Sequence, residues 1–298
     1  MDDQPGRIVV GVDFGAPSVA AATWAVRYLA PGATVVLVHA RPPADAALPA
    51  DAALPADAAA AAPGDDAAAR LGALASSLGV AATTVVRDGD PAVCLADVAT
   101  EEGAELVVVG AHRDHPTPWD GLGTTAERLV RRSPVPVVVA AGALDGAPRL
   151  LLVPVAADDI SERAFDWACR LERRFDPKVA VVHVREAPPA WADAPGAGED
   201  EAPPPESAAP SRWRRLLADR PPGRVFTDAV SGDAAAGILA EADRFRCGLI
   251  VVDDRALAPA RHPDADRLLR ETARPLLVVP GWADRAPADV RNPADAAG

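Results

Sequence analysis

Lysine is nearly absent from this chain: Lys178 is the single one among 30 basic residues, the others being arginine. Acids outnumber bases 43 to 30, and the resulting formal charge of -13 repels phosphate backbones and anionic membranes, so neither nucleic acid nor a membrane is expected as a partner. Cysteine is limited to Cys94, Cys169 and Cys247, far apart and in no CxxC pair. That spacing excludes a disulfide framework or a zinc ribbon and fits a reducing compartment. No apolar run reaches the ~18 residues of a membrane span, and the opening MDDQPGRIVVGVDFG carries two acids where a secretory signal needs basic residues. A soluble, cytoplasmic protein is expected. No GKS or GKT follows a glycine run, which excludes a Walker A site, and no nucleophile, base and orienter stand out for triad catalysis, so an enzyme is not expected.

What the chain does have is length, apolar content and a repeat. Its 298 residues, 49% of them hydrophobic, suffice for two cores at about 150 residues per domain. IVVGVD from Ile8 to Asp13 aligns with LLVPVA from Leu151 to Ala156 at an offset of 143 residues. The same offset matches Ser18 with Ser161, Trp24 with Trp167, Gly89 with Gly232, and LVVVG ending at Gly110 with LIVVD ending at Asp253. VHA at Val38 to Ala40 meets VHV at Val182 to Val184 with a slip of one residue, a loop-length difference. Two copies of one unit therefore fill most of the chain.

Within each copy, short Val, Ile and Leu runs alternate with longer helical patterns, the signature of βαβ units and a parallel sheet buried on both faces. Strands are expected at 7–13, 34–40, 83–87, 105–110 and 135–140, and again at 150–156, 178–184, 224–230, 248–253 and 275–280. Helices are expected between them. One begins near Ser18, one has Asp90 as N-cap and Pro91 as its first residue, and one begins near Thr124. Trp24 and Trp167 read as core residues of equivalent helices, and Cys94 as an inert core thiol. Two stretches break the pattern at equivalent places, about 42–66 with its doubled ADAALP and about 187–210. Their Ala, Pro and acid content suits mobile insertions, and residues 283–298 read as a disordered tail.

The fragments IVVGVDFGAPS, VLVHA, GDPAVCLADVATEEGAELVVVG and LGTTAERLVRRSPVPVVVA together resemble the universal stress protein family, here as two tandem domains at 1–143 and 147–282. The resemblance implies an α/β fold of two Rossmann-like units related to the adenine nucleotide alpha hydrolases. Each unit is then a five-stranded parallel sheet of order 3-2-1-4-5 flanked by helices, with a cleft where the strand order reverses. Members that bind ATP carry a motif of glycine, two residues, glycine, nine residues, glycine and then Ser or Thr. Gly110, Gly123 and Thr124 fill its first, third and hydroxyl places, and Arg113 stands at the second. By this resemblance Asp13 meets the nucleotide and the backbone at Ala40 contacts adenine. Gly110 would admit the nucleotide close to the backbone, while Gly123, Thr124 and Thr125 offer donors at a helix start whose dipole favours phosphate. Arg113 removes one close approach and adds a charge for the phosphates.

Thr124 with Glu127 also forms a capping box, which explains that threonine without a ligand. His112 and His115 read as solvated loop side chains, and Trp119 either covers a base or packs the loop down. The second copy has Ala156 for the aspartate, Asp253 for the first glycine and His262-Pro263 where glycine and threonine belong, so it is not expected to bind ATP. The favoured expectation is ATP binding, with or without magnesium, by the first half in a sensing or regulatory role. A ligand-free scaffold and a slow ATP hydrolase are the alternatives. Family dimers pair through their last strands, so VPVVVA and RPLLVVP are expected to join the halves as an intramolecular pseudo-dimer, with a homodimer of such chains also open.

Overall fold

A computed structural model describes residues 6–41, 66–111, 124–142, 144–156, 162–185, 225–231, 233–253, 268 and 271–280. The expected insertion at 187–210 and tail at 283–298 lie outside these residues, as does the insertion at 42–66 up to its last residue, Asp66, which opens a helix.

The first half runs β1 (Arg7–Gly11), α1 (Ala16–Trp24) extended by a π-helical turn (Ala25–Leu29), β2 (Thr34–Arg41), α2 (Asp66–Leu78), β3 (Ala82–Asp88), α3 (Pro91–Glu101), β4 (Leu106–Gly110), α4 (Thr124–Arg132) and β5 (Val137–Ala140). The second half repeats it with β6 (Leu150–Ala156), α5 (Glu162–Phe175), β7 (Lys178–Arg185), β8 (Val225–Ser231), α6 (Ala234–Arg244), β9 (Leu249–Asp253) and β10 (Leu276–Val279). The inner strands are β-branched runs that alternate their side chains between two apolar layers and so are buried on both faces, whereas the outer strand β3 is half-buried to exposed along its length. Ile8 and Val10 face α1 and α2, whereas Val9 faces α3 and α4. Helix starts follow local chemistry. Asp90 caps α3, its carboxylate accepting from the N–H groups of Ala92 at 3.1 Å and Val93 at 3.2 Å, and Asp233 caps α6 at the equivalent place, accepting from Ala236 at 2.6 Å.

The ten strands of the described residues form one sheet in the order β3-β2-β1-β4-β5-β10-β9-β6-β7-β8. Each half is parallel and has the order 3-2-1-4-5. The halves meet where β5 and β10 pair antiparallel, Val139 with Leu276 and Val137 with Val278. Both apolar layers run through this seam. Val138 and Ala140 share one layer with Leu277 and Val279, and Val137 and Val139 share the other with Leu276 and Val278. The two last strands thus satisfy each other's edges within one chain.

Other contacts brace the joint. Arg174 of α5 donates to Glu105, ahead of β4, at 3.1 Å. Trp24 Nε1 donates to Gly146 O, in the segment between the halves, at 2.9 Å, and the side chain is only 2% exposed. Trp167 departs from expectation: it is half-buried rather than core, with the Arg170 guanidinium 5.3 Å from its ring centroid. No helix among the described residues is long and apolar enough to cross a membrane.

All three cysteines are free and buried, and burial pushes the Cys247 thiol up to about 12 and raises that of Cys94 as well. A higher thiol pKa means less reactive thiolate at any given pH. Native protein at pH 8 is therefore expected to react with an aromatic disulfide reagent much more slowly than protein in 8 M urea, at about the rate of global opening. A fast native phase at pH 8 would contradict the placement of these thiols.

Candidate functional site

In an open parallel sheet the crevice lies outside the carboxyl ends of the two strands where the order reverses, here β1 and β4. Val10 pairs with Val108, so β1 delivers Asp13 and β4 delivers Gly110 to opposite lips of that crevice. Asp13 is exposed. Its Oδ1 accepts from the Gly15 N–H at 2.8 Å, and its own N–H donates to Ser18 Oγ at 3.3 Å, while Ser18 Oγ donates to Gly15 O at 3.0 Å. A short turn before α1 thus locks the carboxylate in place.

Gly110 has a packing reason beside the one its motif suggests. A Cβ added there would lie 2.8 Å from the Pro17 carbonyl carbon and oxygen and 2.9 Å from Ser18 N. The close approach it permits is that of the chain's own α1, and this approach sets the spacing between the two lips. Ala40 is half-buried on β2, past the last β1 pair of Gly11 with Val38. Val38 O accepts from Val12 N–H at 2.8 Å on the β1 side, and strand alternation directs the backbone groups of Ala40 to that same side.

On the far lip, α4 begins at Thr124, followed by half-buried Thr125. The Glu127 carboxylate pairs with Arg131 at 3.2 Å, and Arg128 forms an ion pair with Asp90, tying the start of α3 to α4. Arg113 and Gly123 lie outside the described residues, as do His112, His115 and Trp119. Sequence reasoning missed Phe14 and Arg70. Phe14 has a φ of 66°, its ring lies 4.7 Å from that of His39, and the Arg70 guanidinium lies 3.9 Å over it. The only signal for Arg70 was a lone arginine in the helix after the insertion.

The model of the universal stress protein family matches residues 5–141 and again residues 149–280. The chain belongs to the universal stress protein family. Two solved structures agree with this tandem form over nearly their whole length. One, from Pseudomonas aeruginosa UCBPP-PA14 and assigned to the universal stress proteins, has a TM-score of 0.64 at 15% identity and covers 93% of this chain and 94% of its own. The other, a universal stress protein from Archaeoglobus fulgidus DSM 4304, has a TM-score of 0.63 at 15% identity and covers 92% and 96%. At that identity the likeness is one of fold. No curated protein matches the chain in sequence.

Within this universal stress protein the two halves are unequal. Since β5 and β10 run antiparallel, the strands of the two halves point their carboxyl ends to opposite edges of the common sheet. The two crevices therefore open away from each other, and one small ligand does not span both. At the second crevice β6 ends in Ala156 and β9 in Asp253, which is 6% exposed. A carboxylate there disfavours an anion. Among the described residues, no group of three or more His, Cys, Asp or Glu is placed to hold a metal ion.

Proposed function

We propose that the first half binds an adenine nucleotide, ATP being the favoured one, and that the second half is a degenerate partner that does not. The observation that carries this reading is the meeting of three donor and acceptor types around one crevice. A locked carboxylate at Asp13 suits ribose hydroxyls, the backbone edge at Ala40 suits an adenine ring, and the start of α4 at Thr124 and Thr125 suits phosphate. Gly110 contributes by bringing α1 against β4. Arg113 and Gly123 join the site by the family motif. The role is sensing or regulation rather than turnover, a reading supported by a sequence in which no nucleophile, base and orienter stand out together.

The test is calorimetric titration of ATP, together with mass spectrometry of nucleotide released from the denatured protein. One ATP site per chain is expected. Asp13→Ala is expected to weaken ATP binding about tenfold or more, the usual effect of losing a charge-assisted hydrogen bond. Gly123→Asp is expected to abolish it by setting a carboxylate against phosphate. Wild-type protein that neither carries nor takes up nucleotide would sink the reading, and phosphate release that disappears in Asp13→Ala would replace it with a hydrolase.

A further inference from the structure

Strand β2 outruns β1. Their ladder ends at Gly11 with Val38, while β2 goes on pairing with β3 as far as Arg41 with Asp88. In an evenly spaced parallel ladder the bond after Val12 N–H to Val38 O would run from the Ala40 N–H to Val12 O. That oxygen instead has Nδ1 of His39 at 2.7 Å. A carbonyl oxygen can only accept, so Nδ1 carries the proton. The same imidazole lies 4.7 Å from the Phe14 ring, tilted by 39°. Phe14 holds the left-handed φ of 66°, unfavourable for a bulky residue, and Arg70 of α2 closes over its ring at 3.9 Å. One side chain therefore grips the residue before Asp13 by a hydrogen bond and the residue after it by its ring.

We propose that His39 is a positioning residue for the nucleotide of the first half, an inference that rests on the reading above. By taking the Val12 carbonyl it ends the ladder one rung early and turns the Ala40 N–H to the crevice, where it is a donor to an adenine ring nitrogen. By holding Val12 and Phe14 it seats Asp13 beside that donor. His183 recurs at the equivalent point of β7, in register with Val155, but the residue ending β6 beyond it is Ala156. The second half keeps the imidazole and has no carboxylate at that place for it to seat.

Amide hydrogen exchange of the nucleotide-free protein and ATP titration test this together. Wild-type Ala40 is expected to exchange far faster than Val38 and to slow when ATP is added. His39→Leu removes the donor, so the ladder closes by its missing rung, the Ala40 amide becomes protected without ATP, and the Kd for ATP rises about tenfold, the worth of one hydrogen bond made well rather than badly. His39→Asn retains an N–H near the Nδ1 position and is expected to restore most of the affinity. His183→Leu is expected to leave the ATP Kd unchanged. A protected Ala40 amide in nucleotide-free wild type overturns the inference, as does a wild-type Kd in His39→Leu or an equal loss in His183→Leu. A wild type that takes no ATP yet has a fast Ala40 amide, protected in His39→Leu, removes the nucleotide reading and leaves the early end of the ladder standing.

Discussion

Replacing Gly142 with alanine is expected to destabilise the protein by about 3 kcal/mol or more, the combined scale of a left-handed non-glycine residue and an overpacked contact. Gly142 follows β5 with a φ of 70°, and a Cβ there would fall on the Ala273 carbonyl oxygen and lie 2.7 Å from its carbon. Both partners are backbone, so no rotamer change relieves the clash. Either the segment before β10 moves or residue 142 does, and each movement pulls on the β5–β10 seam. Because both apolar layers cross that seam, the wild type is expected to unfold in urea as one cooperative transition. Gly142→Ala is expected to lower the midpoint and, if the seam opens first, to split the transition in two. An unchanged midpoint would show that the joint tolerates a shift that the packing denies it.

Trp24→Ala is expected to cost about 3–5 kcal/mol, the range for deleting a buried large aromatic side chain. Trp24 is among the largest fully buried side chains of the molecule, and it joins the α1 and α2 layer to the segment between the halves. Trp24→Phe separates the two contributions. It keeps a ring in the layer but removes the Nε1–H bond to Gly146 O, for which about 1 kcal/mol is expected. Urea denaturation followed by circular dichroism measures both. Equal losses in the two variants would place the value of Trp24 in its hydrogen bond rather than in its bulk. Trp167→Ala is expected to cost less than Trp24→Ala, since Trp167 is only half-buried.

These expectations separate what could be read along the chain from what could not. The strand runs were legible because a strand buried on both faces is written as an uninterrupted β-branched run, as in IVVGV and VVLVH. The N-cap at Asp90 was legible because capping is a local matter of one carboxylate and two amides. The pairing of the halves through their last strands was legible from the family resemblance, with the repeat supplying two open edges that can satisfy each other. Trp167 was read as core and packs against the core while staying half-buried, because an offset of 143 carries no information on how far solvent reaches each copy.

The candidate site divides in the same way. Asp13, Ala40 and Gly110 could be placed at strand ends from their spacing, because strands and repeats are periodic. The reason for Gly110 could not, since the atoms that crowd it, Pro17 and Ser18, are more than ninety residues away along the chain. Nor could the left-handed turn at Phe14, held by His39 and Arg70 from two other elements. By itself the sequence determined the element order, the tandem repeat and the strand ends that face the crevice, all of which follow from local propensity and period. Only the tertiary structure decided which lips touch, which carbonyl His39 takes and where the two halves lock, because those contacts join residues whose separation along the chain carries no periodic signal.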